Sequence, residues 1–264
     1  VVTDRMLNKW EKLPNNTVID VDDDMMHSAL EIVGRSLFGT DLAGDVEKTA
    51  QATLDALDII VARARTPITF PKWIPTPNNR KLAKALRQLD GAVQRILDER
   101  KRMTGVAGVD RDVDMLDLLL AAHDEEGGLN SKELRDQIVT FIVAGHETVA
   151  SSLTWTWWLL GSHPEVQLKL QKEVDEVLKG RAPNVKDLEN LSYTKAIVDE
   201  ALRVFPPGWV VSRRSLDKDE LGGYEIPDKA VVIISPWATH RHPDAWNSAE
   251  SFDPTRFLPD APTP

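Results

Sequence analysis

The sequence predicts a mainly α-helical protein with a small β-sheet late in the chain, and three observations carry that prediction. Apolar residues recur at helical spacing up to about residue 204, in the stretches Met25 to Phe38, Val46 to Ala64, Arg80 to Met103, Met115 to Ala122 and Ser131 to Leu160. After Pro206-Pro207 the texture changes to β-branched runs, WVVS at 209–212 and AVVIIS at 230–235, separated by Gly222-Gly223 and Pro227. A chain of 264 residues with 42% hydrophobic content can also bury a substantial core, and 1–264 reads as a single domain with no internal repeat.

The breaks between the helical stretches follow from local chemistry. TPITFPKWIPTPNN (66–79) is too rich in proline for a helix, and TGVAGVDRD (104–112) is too rich in glycine and charge to pack. The next helix is expected over about 131–161: Asn130 and Glu133 have capping-box spacing, while Gly161 and Pro164 supply the stop and the next start. About 30 residues make a helix of roughly 45 Å, long enough to cross a domain. Another helix is expected at about 192–204, and the β region spans about 209–235.

Composition narrows the function. Thirty-two Lys and Arg against 42 Asp and Glu give a net charge of −10, which disfavours nucleic acid and anionic membrane surfaces as partners. His146 and Glu147 interrupt the best apolar run, so no segment approaches the roughly 18 uncharged residues of a membrane span, and no signal peptide opens the chain. Zero cysteines exclude disulfides, a thiolate nucleophile and a cysteine zinc site, and are compatible with a reducing compartment; the cytoplasm is the expected location.

Residues 141–160, FIVAGHETVASSLTWTWWLL, set Gly145, His146, Glu147 and Thr148 inside a stretch that is otherwise apolar on nearly every side. An unpaired carboxylate there is costly to bury, so the block is either paired or working. Gly145 costs about 1 kcal/mol relative to alanine, and Thr148 can turn its hydroxyl to a carbonyl one turn back, so a bend or bulge is expected at this point. The plainer reading is that Gly145 allows a close helix crossing and Glu147 meets an arginine. A zinc-protease motif is excluded, because Ala150 stands where the second histidine belongs. In DEALRVFPP (199–207), Glu200 and Arg203 lie three apart on one helical face, a spacing that by itself also fits a surface ion pair. The tryptophans at 155, 157 and 158 read as core or packing residues, and His240 and His242 in HRHPDAW read as structural, with no metal ligand set.

In order and spacing these pieces resemble the cytochrome P-450 family of haem-thiolate monooxygenases. AGHET in a long helix, DEALR about fifty residues later, PP before an arginine-ended strand, GGYEIP, HRHPDAW and FDPTRF carry the resemblance, which covers nearly all of residues 20–259. It implies a cytochrome P-450-like fold truncated at both ends, lacking the N-terminal helices and the cysteine haem-ligand loop, whose cysteine is expected beyond Pro264. It implies that Ala144 and Gly145 leave space for dioxygen beside the haem, that Glu147 and Thr148 order water for proton delivery, and that Arg213, with Arg214 as fallback, binds a haem propionate. Val143, Ala144, Gly208 and Trp209 match substrate-lining positions, and Glu200, Arg203 and Arg256 match a structural triad. Val149 stands where a second hydroxyl residue is usual.

The implied activity is insertion of one oxygen atom from dioxygen into a lipophilic substrate, with electrons from NAD(P)H through a ferredoxin, flavodoxin or flavoprotein reductase. A haem-thiolate isomerase or peroxygenase is a second reading, against which Glu147-Thr148 argues; a haem-free helical remnant or binding protein is a third, kept open by the missing cysteine.

Overall fold

A computed structural model describes residues 1–40, 46–65, 70–71, 73–104, 113–124 and 128–261. Residues 66–69 and 72 of the proline-rich loop, and 105–112 of the glycine-rich one, lie outside the described residues. The chain divides into two units, Val1–Ala150 and Ser151–Pro264.

In the first unit, α1 (Val2–Glu11) precedes α2 (Val21–Phe38), α3 (Val46–Arg65), α4 (Pro77–Thr104), α5 (Met115–Asp124) and the first five turns of α6 (Ser131–Ser162). Asp20 caps α2 by accepting from the backbone N–H groups of Asp22 and Asp23 (3.1 and 3.3 Å), and Gly39 ends it at φ +57°. Its Cβ-less carbon also leaves room for Asp114 and Arg100, atoms of which would stand 3.0 and 3.3 Å from an added methyl. Pro77, read as loop, instead opens α4, because its fixed φ suits a first helical turn.

One core joins Leu30, Val33 and Phe38 of α2 to Val93 and Ile96 of α4, Leu116 of α5 and Leu134, Ile138 and Ile142 of α6. A second fills the α3/α4 seam with Ala52, Ala56, Ile59, Leu82, Ala85 and Leu89. Arg100, buried on α4, ties three elements at once by donating to the carboxylates of Asp114 and Asp117 and to the carbonyl of Phe38. Deleting either side of such a cluster strands a buried charge.

In the second unit, the rest of α6 is followed by α7 (Pro164–Leu178), a short 3₁₀ turn (Val185–Asn190), α8 (Ser192–Val204), four strands and α9 (Pro236–Thr239). Leu159, Leu160, Val166, Ile197, Ala201, Val204 and Phe252 form its core. The cap residue of α8, Leu191, has no side-chain acceptor. Glu173 of α7 substitutes, accepting from the N–H groups of Tyr193 and Thr194 at 2.7 and 2.8 Å.

The β region contains two ribbons. β1 (Val211–Arg214) pairs antiparallel with β4 (Val231–Ile234), matching Val211 to Ile234 and Arg213 to Val232. Between them β2 (Asp219–Leu221) and β3 (Tyr224–Ile226) form a hairpin, with Gly222 and Gly223 at φ +59° and +85°. The glycine pair is therefore a turn inside a hairpin, since two successive positive φ values suit glycine best.

Candidate active site: the polar block of α6 and the ion-pair network of α8

Along α6 a strict four-residue stripe of Ile138, Ile142, His146 and Ala150 is fully buried. On the opposite side Thr140, Ala144 and Thr148 are exposed at the same spacing. The helix runs without interruption from Ser131 to Ser162, so the bend or bulge expected at Gly145 is not formed. Its Asn130–Glu133 capping box is: Asn130 Oδ1 accepts from the N–H groups of Lys132 and Glu133 (3.0 Å each), and Glu133 accepts from the Asn130 N–H at 2.8 Å.

Gly145 meets α2 instead of opening a gap. A Cβ built there would stand 2.9 Å from Val33 Cγ2, so the glycine permits a close helix crossing. Its space is filled by Val33, while the small Ala144 lies one residue away on the exposed stripe. Thr148 donates its hydroxyl hydrogen to the carbonyl of Ala144 at 2.5 Å, the backward bond its position suggests. Val143 is half-buried.

Glu147 is half-buried, and among the described residues no arginine or lysine pairs with it, so the arginine partner of the plainer reading is absent. Burial, with the carboxylates of Asp58 and Asp22 adding to it, pushes its carboxyl above the ordinary value. His146 is wholly buried, and neither ring nitrogen has a hydrogen-bond partner. Burial, assisted by the charge of His27, lowers it to about 4. The sequence marked His146 as part of the polar block without saying which way it turns; the Ile138–Ile142–His146–Ala150 spacing is the sign that it turns inward.

The second unit holds a different arrangement. Glu200 and Arg203 are 0% and 2% exposed. Arg203 grips the carboxylate with two bonds, Nε to Oε2 at 2.6 Å and Nη2 to Oε1 at 2.8 Å. Its remaining hydrogens go to the carbonyls of His240, Ala249 and Ser251 at 2.8, 2.7 and 2.9 Å. Arg256 Nε approaches Glu200 Oε1 at 3.3 Å, and the Asp253 N–H donates to the same oxygen at 2.9 Å. The Arg203 guanidinium also lies 5.1 Å from the Trp246 ring centre. Glu200, Arg203 and Arg256 are thus in mutual contact around one carboxylate. Trp246, Asp253 and the three carbonyl acceptors of this network escaped sequence reasoning, because backbone atoms far along the chain leave no side-chain pattern.

His240 turns its Nδ1 to the carbonyl of Arg203 (3.1 Å), the exposed His242 accepts from the Asp244 N–H at 3.3 Å, and among the described residues no group of three or more metal-ligating side chains is found. Gly208 and Trp209 are exposed just before β1, Trp209 at 54%. Arg213 is exposed on β1, where Nη1 donates to the Ser212 carbonyl at 2.9 Å, and Arg214 donates to the carbonyl of Lys229. Trp155, Trp157 and Trp158 are not core residues, being 38–56% exposed; Trp155 stacks on Phe205 at 4.1 Å and Trp158 meets its edge.

The family model described as Cytochrome P450 matches residues 1–262. This chain belongs to the cytochrome P450 family. It is 36% identical over 256 residues to cyclooctat-9-en-7-ol 5-monooxygenase of Streptomyces melanosporofaciens, covering 96% of this chain and 54% of that protein. It is 38% identical over 250 residues to pentalenene oxygenase of Streptomyces avermitilis, covering 93% and 54%. It is 36% identical over 251 residues to protein LUTEIN DEFICIENT 5, chloroplastic, of Arabidopsis thaliana, covering 89% and 41%. The chain spans about half the length of the curated relatives it matches. Among the described residues no helix is long and apolar enough to cross a membrane.

Membership of the P450 family implies haem. In the second unit the exposed Arg213 guanidinium, which donates to the neighbouring Ser212 carbonyl, fits a carboxylate such as a haem propionate. In the first unit, taken by itself, the small exposed Ala144 and Thr148 fit close approach of a flat ring. The 264 residues contain no cysteine and so do not themselves supply a thiolate for its iron.

Proposed function

We propose that the whole protein is a haem-dependent monooxygenase that inserts one oxygen atom from dioxygen into a lipophilic substrate. The observation that carries this reading is a pairing on adjacent residues of α6: Glu147 is a half-buried glutamate that no lysine or arginine pairs with among the described residues, its carboxyl raised above the ordinary value, and Thr148 lies on the exposed stripe. Haem, when bound, supplies the oxygen activation and electron chemistry that side chains lack.

The chain's own residues have separable tasks in this reading. Thr148, whose hydroxyl donates to the Ala144 carbonyl, lies on the exposed stripe of α6, and the relay reading gives it the task of ordering a water there. Glu147, its carboxyl raised by burial and by neighbouring acids, retains a proton at a pH where an ordinary glutamate has lost it, and passes it to that water as a general acid. Ala144 leaves room beside the threonine, and Gly145 keeps α6 against α2 so that both are held on one rigid helix. Val143, Ala144, Gly208 and Trp209 supply apolar substrate contacts. Arg213 holds a haem carboxylate, with Arg214 as fallback. The Glu200–Arg203–Arg256 network fixes the segment 240–256 and takes no part in proton movement. Electrons come from NAD(P)H through a ferredoxin, flavodoxin or flavoprotein reductase, and the expected compartment is the cytoplasm.

Cyclooctat-9-en-7-ol and pentalenene, which name two of the relatives, are the first compounds to test. The full-length holoprotein, given a redox partner and isotopically labelled dioxygen, is expected to place one labelled atom in the product and one in water. Product formed without label, or formed equally from peroxide with dioxygen excluded, would support the isomerase or peroxygenase reading instead.

A further inference from the structure

The last three turns of α6 lie in the second unit, and they carry no charged residue on any side although only one side is covered. Thr156, Leu159 and Leu160 are buried, the two leucines in the core of this unit. On one flank Leu153 and Trp157 are exposed. On the other, Ser151, Trp155, Trp158 and Ser162 recur at intervals of four, three and four residues, the spacing of a seam that meets a second helix. From Thr148 to Pro164 there is no Asp, Glu, Lys or Arg in 17 residues, where a chain that is 28% charged would place about five, so the seam lacks the groups that water solvates. Helix α7 shows the alternative. Its exposed side carries Glu165, Lys169, Lys172, Asp175 and Glu176, and its exposed Leu168 stands among charges.

The centre of the seam is rigid. Trp155 stacks on Phe205 with ring centres 4.1 Å apart and planes 11° from parallel, and Trp158 meets both rings edge-on at 5.8 and 5.7 Å. Rings that already hold one another lose little side-chain freedom when something covers them, so most of the hydrophobic gain of covering them is kept. Ser162, which donates to the Trp158 carbonyl at 2.9 Å, is small and lets a neighbouring backbone approach.

We infer that this seam is covered by a helix of the same polypeptide, about three turns long and apolar on the facing side, from the part of the full-length protein outside residues 1–264. The curated relatives are about twice as long as this chain, so there is polypeptide to supply it. A tethered segment meets the seam at an effective concentration on the order of millimolar, which a second copy in dilute solution does not reach. A lipid surface is disfavoured, because helices that lie on membranes flank their apolar face with Lys and Arg, and this stretch has neither in a chain of net charge −10.

The test uses the full-length holoprotein. Hydroxyl-radical oxidation of each tryptophan, followed site by site by mass spectrometry in the folded and the urea-unfolded protein, reads the cover directly. Left uncovered, Trp155 and Trp158 react only about two- to threefold more slowly in the folded protein, in proportion to the 38 and 56% of their surface that residues 1–264 leave exposed. Under a covering helix they are expected to react at least about tenfold more slowly. A photo-crosslinking phenylalanine analogue in place of Trp158 names the occupant, and the expected crosslink joins it to a peptide outside residues 1–264 of the same molecule. The third readout inverts in sign. On an open surface Ser162→Lys, in the last turn of α6, leaves stability unchanged or raises it through the helix dipole. Beneath a covering helix it lowers the melting temperature by roughly 5 °C or more, while Gln167→Lys on the solvated side of α7 does not. Indoles that oxidise at the uncovered rate, a crosslink between two copies or to residues 1–150, protection that needs added vesicles or substrate, or an unchanged Ser162→Lys protein would each overturn the assignment. Should Ser162→Lys fail to fold, oxidation of the wild type still decides.

Discussion

Glu147 and Glu200 are both glutamates within helices of one chain, and their surroundings are opposite. Glu200 is sealed from solvent and every lone pair has work: two bonds from Arg203, one from the Asp253 N–H and the nearby Arg256. Glu147 is half-buried, and among the described residues two acids and no cation act on it. A carboxylate in the first setting is bonded on both oxygens and holds structure together; in the second it has reason to keep a proton and give it away. The same side chain becomes a bolt or an acid according to who faces it.

The comparison breaks most visibly at Arg203. Arg203→Ala strands the Glu200 charge and three backbone carbonyls, a loss on the order of 3–5 kcal/mol, so the full-length variant should not accumulate as folded haem protein. Normal yield and melting temperature would show that the network is dispensable.

His146 comes next. Burial lowers its pKa to about 4 in the fold from an ordinary 6.5, so the folded state disfavours its charged form. The stability this contributes is complete above about pH 6.5 and is lost as pH falls towards 4, a total of about 3 kcal/mol. Glu147 responds in the opposite sense, since its raised carboxyl favours the fold on acidification. Denaturant unfolding of wild type and His146→Phe between those limits should therefore show a slope removed by the substitution, and parallel curves would refute the assignment.

A smaller effect is expected at Gly145. Gly145→Ala drives a methyl to 2.9 Å from Val33 Cγ2, at a cost of about 1–3 kcal/mol partly offset by better helix propensity. Combining it with Val33→Ala should recover part of the loss, and the double-mutant cycle measures the coupling.

Smallest in stability is Thr148→Ala. An exposed hydroxyl that back-bonds its own helix contributes within about 0.5 kcal/mol, so melting should hardly change. Product per NAD(P)H should nevertheless drop and peroxide should rise; unchanged coupling would remove Thr148 from the relay.

Several of these features were legible in the sequence because their causes are local. The capping box of Asn130 and Glu133, the proline and glycine stops, and the Glu200–Arg203 spacing all act within one or two turns. Elements held by distant partners were not legible. Helix α1 has no buried residue of its own and leans on α2 through the Lys9–Asp24 pair, and α7 buries only Val166 and Leu178. The β2/β3 strands are three residues each, too short for an alternating pattern to register. At the site, the polar block was plain, but that Gly145 faces Val33 and that Glu147 faces acids are facts of packing between helices far apart in the chain. The bulge expected from Gly145 and Thr148 did not form, because the back-bond to Ala144 is accommodated within a regular helix.

The central claim is that one glutamate is structural and the other is an acid. It is tested most directly by making Glu147→Gln and Glu200→Gln in the full-length protein and measuring, for each, the melting temperature of the holoprotein and the product formed per NAD(P)H. The account predicts that Glu147→Gln melts with the wild type but wastes its reducing equivalents, whereas Glu200→Gln loses a buried charge partner and does not fold stably. A Glu147→Gln protein that remains fully coupled, or a Glu200→Gln protein that folds normally and is uncoupled, would contradict it.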